Sequence, residues 1–252
     1  MGMYYRKYFA GSVENANLTR NTVDISNNSS RTEYYVQSDV VCRAIKETLE
    51  DAGITCTYTS ENSVLVIDGL TVQVLRYSSY LYYNANGICI GYLGSAIFSG
   101  NNYKFYITLK GDIDSVLYIC VGYYSAPSSE LGAFAIGKGK DLKDNSQIRV
   151  TATYDDIKSY SRFYLIKSDE ILEEYKQKVV FGGVLTSITN LNNGGTEVTL
   201  VECVAQPGRF KLNNSYFGNA VLLNEEFYNI GGEIYYKLSN NILIKCVNEK
   251  VS

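Results

Sequence analysis

The sequence predicts an α+β protein that is predominantly antiparallel β. One amphipathic helix packs on a sheet, and a small all-β module follows toward the C-terminal end. Three observations lead there. Apolar runs of strand length recur from Val64 to Tyr124, each closed by Gly, Asn or Asp. The links between them are too short for the helical crossover that parallel strands need, which favours hairpins. One stretch, Ser38 to Gly53, carries apolar residues at helical spacing instead.

In chain order, residues 1–32 read as an extended arm. Met1 to Gly11 is aromatic and basic, and the polar stretch behind it has too few apolar residues to fold alone. The reading leaves two states open, a disordered terminus or an arm ordered on a neighbour through Tyr4, Tyr5, Tyr8 and Phe9. The helix follows. Ser38 serves as its cap and Asp39 favours its first turn. Val41, Ala44, Ile45, Thr48, Leu49 and Ala52 share one face, and Gly53 is the stop signal.

The strands then run Thr55–Thr59, Ser63–Ile67, Leu70–Leu75, Gly87–Phe98, Lys104–Leu109, Ser115–Tyr123, Ala133–Ile136, Gln147–Tyr154 and Arg162–Ile166. Asp68-Gly69 is the strongest hairpin signal, because a type I′ turn needs positive φ at both central residues. Ser168 to Gln177 reads as a second short helix capped by Ser168. From Val179 the texture becomes short strands with Asn and Gly turns, the last of them Gly231-Gly232 and Asn240-Asn241. The expected division is an arm at 1–32, an α+β body at 33–178 and an all-β module at 179–252.

Composition excludes several chemistries. There is no His among the 252 residues, which removes every Ser-His-Asp or Cys-His catalyst and every His-ligated zinc site. The formal net charge of −3 offers no basic excess to neutralise phosphates, so no nucleic acid partner is expected. Cys42, Cys56, Cys89, Cys120, Cys203 and Cys246 form no CxxC pair, and they read as buried reduced thiols. No apolar run has the roughly 18 residues of a membrane span, and no apolar stretch behind Arg6 and Lys7 resembles a secretory signal.

The remaining motifs carry little chemistry. Gly137-Lys-Gly-Lys lacks the phosphate-loop pattern and reads as a solvated basic loop. Asp112, Asp114, Asp141 and Asp144 lack calcium-loop spacing. Tyr154-Asp-Asp has no companion acidic strand, and Glu173-Glu174 and Glu225-Glu226 cannot be placed in a cleft. No catalytic, cofactor or metal residue is assigned, and no cofactor is expected. The unusual local feature is Tyr77, Tyr80, Tyr82 and Tyr83, a possible aromatic surface for a sugar or a partner.

Three stretches, MYYRKYFAG, LGAFAIGKGKDLKDNSQIRVTATYDDIKSYSRFYLI and LNEEFYNIGGEIYYKLSNNILIKC, resemble structural proteins of tailed bacteriophages and phage-tail-like bacteriocins of low-GC Gram-positive hosts. The resemblance is one of texture over the whole chain. It implies a tail, baseplate or other virion protein that is not an enzyme. Such a protein is assembled in the host cytoplasm and binds copies of itself and other virion proteins through extended arms. The alternative is a carbohydrate-binding or adhesin module for a cell-surface glycan, motivated by the Tyr77–Tyr83 stretch.

Overall fold

A computed structural model describes residues 2–12, 30–59, 63–77, 80–85, 88–94, 97–99, 102–125, 130–153, 162–167, 170–171, 179–193, 196–205, 208–218, 226–239 and 242–246. The chain forms two compact units. One comprises residues 5–109 and 119–134, and the other residues 1–4, 110–118 and 135–252. Antiparallel strands dominate both, and one helix accompanies them among the described residues.

The first unit is built around strand β1 (Gly2–Ser12) and helix α1 (Ser30–Asp51). All six residues of the predicted apolar face are buried: Val41, Ala44, Ile45, Thr48, Leu49 and Ala52. That face packs on β2 (Cys56–Thr59), β3 (Val64–Ile67) and β4 (Leu70–Tyr77). The C-terminal stop is the expected one. The Gly53 amide donates to the Glu50 carbonyl and the Ile54 amide to the Leu49 carbonyl, with φ of 78° at Gly53. This is the Schellman closure.

The N-terminal end of the helix differs from expectation. The helix starts at Ser30, and Ser38 lies inside it and is buried. No Gly or Pro between Ser30 and Ser38 breaks the pattern, so a good capping residue alone does not start a helix there.

The meander β2–β3–β4 continues through β5 (Tyr80–Ala85) and β6 (Ile88–Gly94) as a five-stranded sheet. Asp68 and Gly69 have φ of 47° and 83°, and Ile67 pairs with Leu70 across that turn. Four short links join the five strands in sequence order; β2, β3, β4 and β6 match expected strands, whereas β5 was not among them.

A second sheet holds fourteen strands. It begins with β1, to which β8 (Asn102–Asp112) is hydrogen-bonded, with the two-residue β7 (Phe98–Ser99) pairing β8. It continues through β9 (Val116–Tyr123) and β10 (Glu130–Asp141). The boundary between the two units falls inside β1, β8, β9 and β10.

In the second unit, β10 is followed by β11 (Gln147–Thr153), β12 (Arg162–Lys167), β14 (Val179–Asn193), β15 (Thr196–Ala205) and β16 (Phe210–Gly218). β16 then pairs back onto β10, with Gly139 opposite Leu212, Lys140 opposite Lys211 and Asp141 opposite Phe210. Six strands therefore close into a ring, which removes the free edges an open sheet would leave. Apolar side chains that the ring strands bury include Ile148, Val150, Phe163, Leu165, Phe181, Cys203 and Leu212, with Phe163 and Phe181 edge-to-face at 5.4 Å.

Gly137 and Gly139 make this closure possible. A Cβ at Gly137 would fall closer than 3.0 Å to the Ser115 carbonyl oxygen, and one at Gly139 equally close to the Lys211 carbonyl oxygen. The run expected to be a solvated basic loop is thus strand, because its glycines let backbone approach from two sides.

β19 (Ile242–Cys246), β18 (Glu233–Lys237) and β17 (Phe227–Ile230) extend from β16. Their apolar face joins Val198, Leu200, Tyr228, Ile230, Tyr235 and Leu243 into one cluster against the β14–β15 hairpin. β16 was not among the expected strands. Asn214 has φ of 45°, an irregularity within a continuing strand.

Residues 179–218 share the ring with residues 135–167, so the chain does not divide at 178 as the sequence implied. The expected second helix is replaced at Glu170–Ile171 by β13, which pairs with β12. Residues 172–177 lie outside the described residues.

Candidate functional site

The alternation of β1 separates two sets of side chains. Tyr5, Lys7 and Phe9 turn toward the unit they belong to. The Tyr5 hydroxyl donates to Asp51 at 3.2 Å, Lys7 pairs with Asp51 and, at 2.7 Å, with Glu47, and Phe9 stacks on buried Phe105 at 5.7 Å. The last turn of α1 thus holds the strand by charge. Hydrogen bonds from Lys7 to Asp51 and Glu47 favour its ammonium form and raise its pKa.

Arg6 and Tyr8 lie on the opposite face. Arg6 donates to the Thr108 hydroxyl at 3.1 Å, and its guanidinium lies 5.9 Å from the Tyr106 ring centre. Tyr8 contacts Tyr106 at 5.2 Å and Tyr124 at 5.3 Å, with ring planes inclined at 46° and 39°. Lys104 lies 5.4 Å over Tyr124. Among the described residues three large hydrophobic side chains are exposed, and two are Tyr8 at 41% and Tyr124 at 50%. Their clustering makes one patch of three phenols and two cations, on β1, on β8 and just past the end of β9. Loss of solvent and the neighbouring phenols raise the Tyr8 pKa.

The aromatic residues singled out in the arm therefore part company. Tyr8 belongs to the exposed patch, while Tyr5 and Phe9 dock on their own unit. Tyr4 belongs to the other unit, where it meets Phe227 edge-on at 6.0 Å and Lys110 lies 5.9 Å over its ring. Tyr106, Tyr124, Arg6 and Lys104 were missed. Their grouping depends on pairing strands about a hundred residues apart, which no local pattern announces.

The Tyr77–Tyr83 stretch gives a different result. Tyr83 is fully buried, packs on Phe134 at 4.7 Å and has its pKa raised well above normal by burial. It belongs to the core and not to a surface, because it lies on the face of β5 that meets Phe134. Tyr77 and Tyr80 pair across β4 and β5. The side chains of Tyr77, Tyr80 and Tyr82 lie outside the described part of the structure.

The acidic residues weighed in the sequence are engaged in structural pairs. Asp141 is fully buried and faces the Arg209 guanidinium, with Nη2 to Oδ2 at 3.0 Å. Burial alone would raise its carboxyl. The bonds from Arg209 and the Lys143 amide outweigh that and hold it below the usual range. Asp112 accepts the Asp114 amide at 2.9 Å, and Lys138 pairs with Asp114 at 2.8 Å, which lowers the Asp114 pKa. Glu226 pairs with Lys110. Among the described residues no group of three or more Cys, Asp or Glu is arranged to hold a metal. Glu173, Glu174, Glu225, Asp155 and Asp156 lie outside the described residues. No described helix is long and apolar enough to cross a membrane.

No family model, no curated protein and no solved structure matches this chain.

Proposed function

We propose that this chain is a non-enzymatic structural protein of a phage virion or phage-tail-like particle, acting in assembly by contacts with copies of itself and with other particle proteins. The observation that carries the assembly reading is the exposed patch of Tyr8, Tyr106 and Tyr124 with Arg6 and Lys104. Tyr and Arg are enriched at protein interfaces, because they bring large contact area together with polar tips. The patch stands on paired strands held by Lys7 and Phe9, so it is pre-organised and loses little freedom on binding. The virion assignment rests on the resemblance of the three stretches named above. The glycan alternative keeps Tyr77, Tyr80 and Tyr82 but loses Tyr83 to the core. Size-exclusion chromatography with light scattering tests the reading. A mass of several chains is expected, and a strictly monomeric protein at all concentrations overturns it.

A further inference from the structure

We infer that β1 continues its sheet into a second copy of this chain, pairing antiparallel with β1 of that copy about a twofold axis at Tyr8. The inference rests on the assembly reading and names its partner, register and symmetry.

β1 is the terminal strand of the fourteen-stranded sheet, and among the described residues β8 is the one strand hydrogen-bonded to it. It runs for eleven residues without Pro, against a usual strand length of about 5–6. A long edge strand is a template for another strand unless Pro, a bulge or lysine guards it. Lys7 is the residue of that kind here, and it is engaged with Glu47 and Asp51 of α1. Phe9 on Phe105 fixes the strand further, so pairing orders little new chain. Tyr8, Ala10 and Gly11 are exposed along it.

The register points to a second copy as the occupant. A twofold axis normal to the sheet keeps each side chain on its own face, so it passes through one residue pair. Centred on Arg6 or Lys7, it sets like charges directly opposite each other. Centred on Tyr8, it pairs residues 4–12 without that conflict, and no longer match avoids it. Arg6 then faces Ala10 of the second copy, Lys7 faces Phe9, Tyr5 faces Gly11 and Tyr8 faces Tyr8. The two Arg6 residues are four positions apart along the strands, about 13 Å. The two Lys104 residues, on β8, are at least three strand spacings apart, about 14 Å. Both separations exceed the screening length of about 8 Å at physiological salt. The exposed Tyr8 rings meet at the axis, and the two aromatic patches become one. Such a contact closes at two copies, and larger assemblies need a further surface.

Sedimentation equilibrium with charge substitutions at Ala10 tests the register, because Ala10 is exposed and uncharged. The wild type is expected to dimerise. Ala10→Glu places a carboxylate opposite Arg6 of the other copy, twice in each dimer, and should tighten dimerisation about threefold or more. Ala10→Arg should weaken it by about the same factor. Tyr8→Cys should give a disulfide-linked dimer on mild oxidation, since opposite Cα atoms lie about 4.5–5.5 Å apart. The wild type, whose described thiols are buried, should not link. Far-UV circular dichroism checks that each variant is folded. Equal dimerisation of the two Ala10 variants, or no link in Tyr8→Cys at concentrations where it is dimeric, overturns the inference while the assembly reading stands. A wild type that is monomeric throughout overturns both.

Discussion

Gly139→Ala is the sharpest test of the closed ring. The added methyl would lie closer than 3.0 Å to the Lys211 carbonyl oxygen and 3.3 Å from Ile148 Cγ1. Ordinary contact distances require β10 and β16 to separate by about 1 Å, and a hydrogen bond stretched that far is lost. Overpacking costs about 1–3 kcal/mol. The three residue pairs that hold these strands cannot all keep their bonds, at about 1 kcal/mol each. Together the expected loss is about 3 kcal/mol, or roughly 6–12 °C in Tm for a chain of this size. Urea unfolding followed by circular dichroism measures it. Lys140→Ala, an exposed neighbour on the same strand, should stay within about 0.5 kcal/mol of wild type. If Gly139→Ala does the same, the ring is not closed at this position and the account of the second unit fails.

Further outcomes follow from the same contacts. Removing Arg209 leaves a buried carboxylate unpaired, so Arg209→Met should cost about 3 kcal/mol by urea unfolding at neutral pH. Because the Asp141 pKa is lowered on folding, its stabilisation is present above the unfolded value and fades as pH falls through the folded one. Asp141→Asn should flatten that acid limb. Asp39 has the opposite sign. Burial lifts it to about 6 against the partial opposition of Arg43, so folding favours its protonated form and stability declines as pH rises from about 4 to 6. In Asp39→Asn that decline should disappear, and an unchanged pH profile would show that the carboxyl is solvated. Ile45→Asp puts a charge on a fully buried helix position and should cost several kcal/mol, which a wild-type Tm would contradict. Cys42, Cys56, Cys120, Cys203 and Cys246 are buried free thiols, and burial raises the Cys42, Cys56 and Cys203 pKa values. They should resist maleimide in the native protein and label fully in denaturant; rapid native labelling would contradict the packing.

What was legible in the sequence was local. Asp68-Gly69 and Gly231-Gly232 set their hairpins, because turn chemistry is decided by adjacent residues. The buried face of α1 was readable from the 3.6-residue period, and its stop from Gly53. What was not legible is non-local. The arm became a strand because Lys7 meets Glu47 and Asp51, and Phe9 meets Phe105. Gly137 and Gly139 looked like loop residues because their partners, Ser115 and Lys211, lie far away along the chain. The patch was half visible for the same reason: Tyr8 stood out, whereas Tyr106 and Tyr124 were indistinguishable from the other strand tyrosines.

The most direct measurement of the central claim is quantitative mass spectrometry of purified tail particles from the producing host. The account predicts this chain in those particles at a fixed copy number, with several copies for each particle. Its absence from intact particles, while the protein is plentiful in the surrounding lysate, would contradict it.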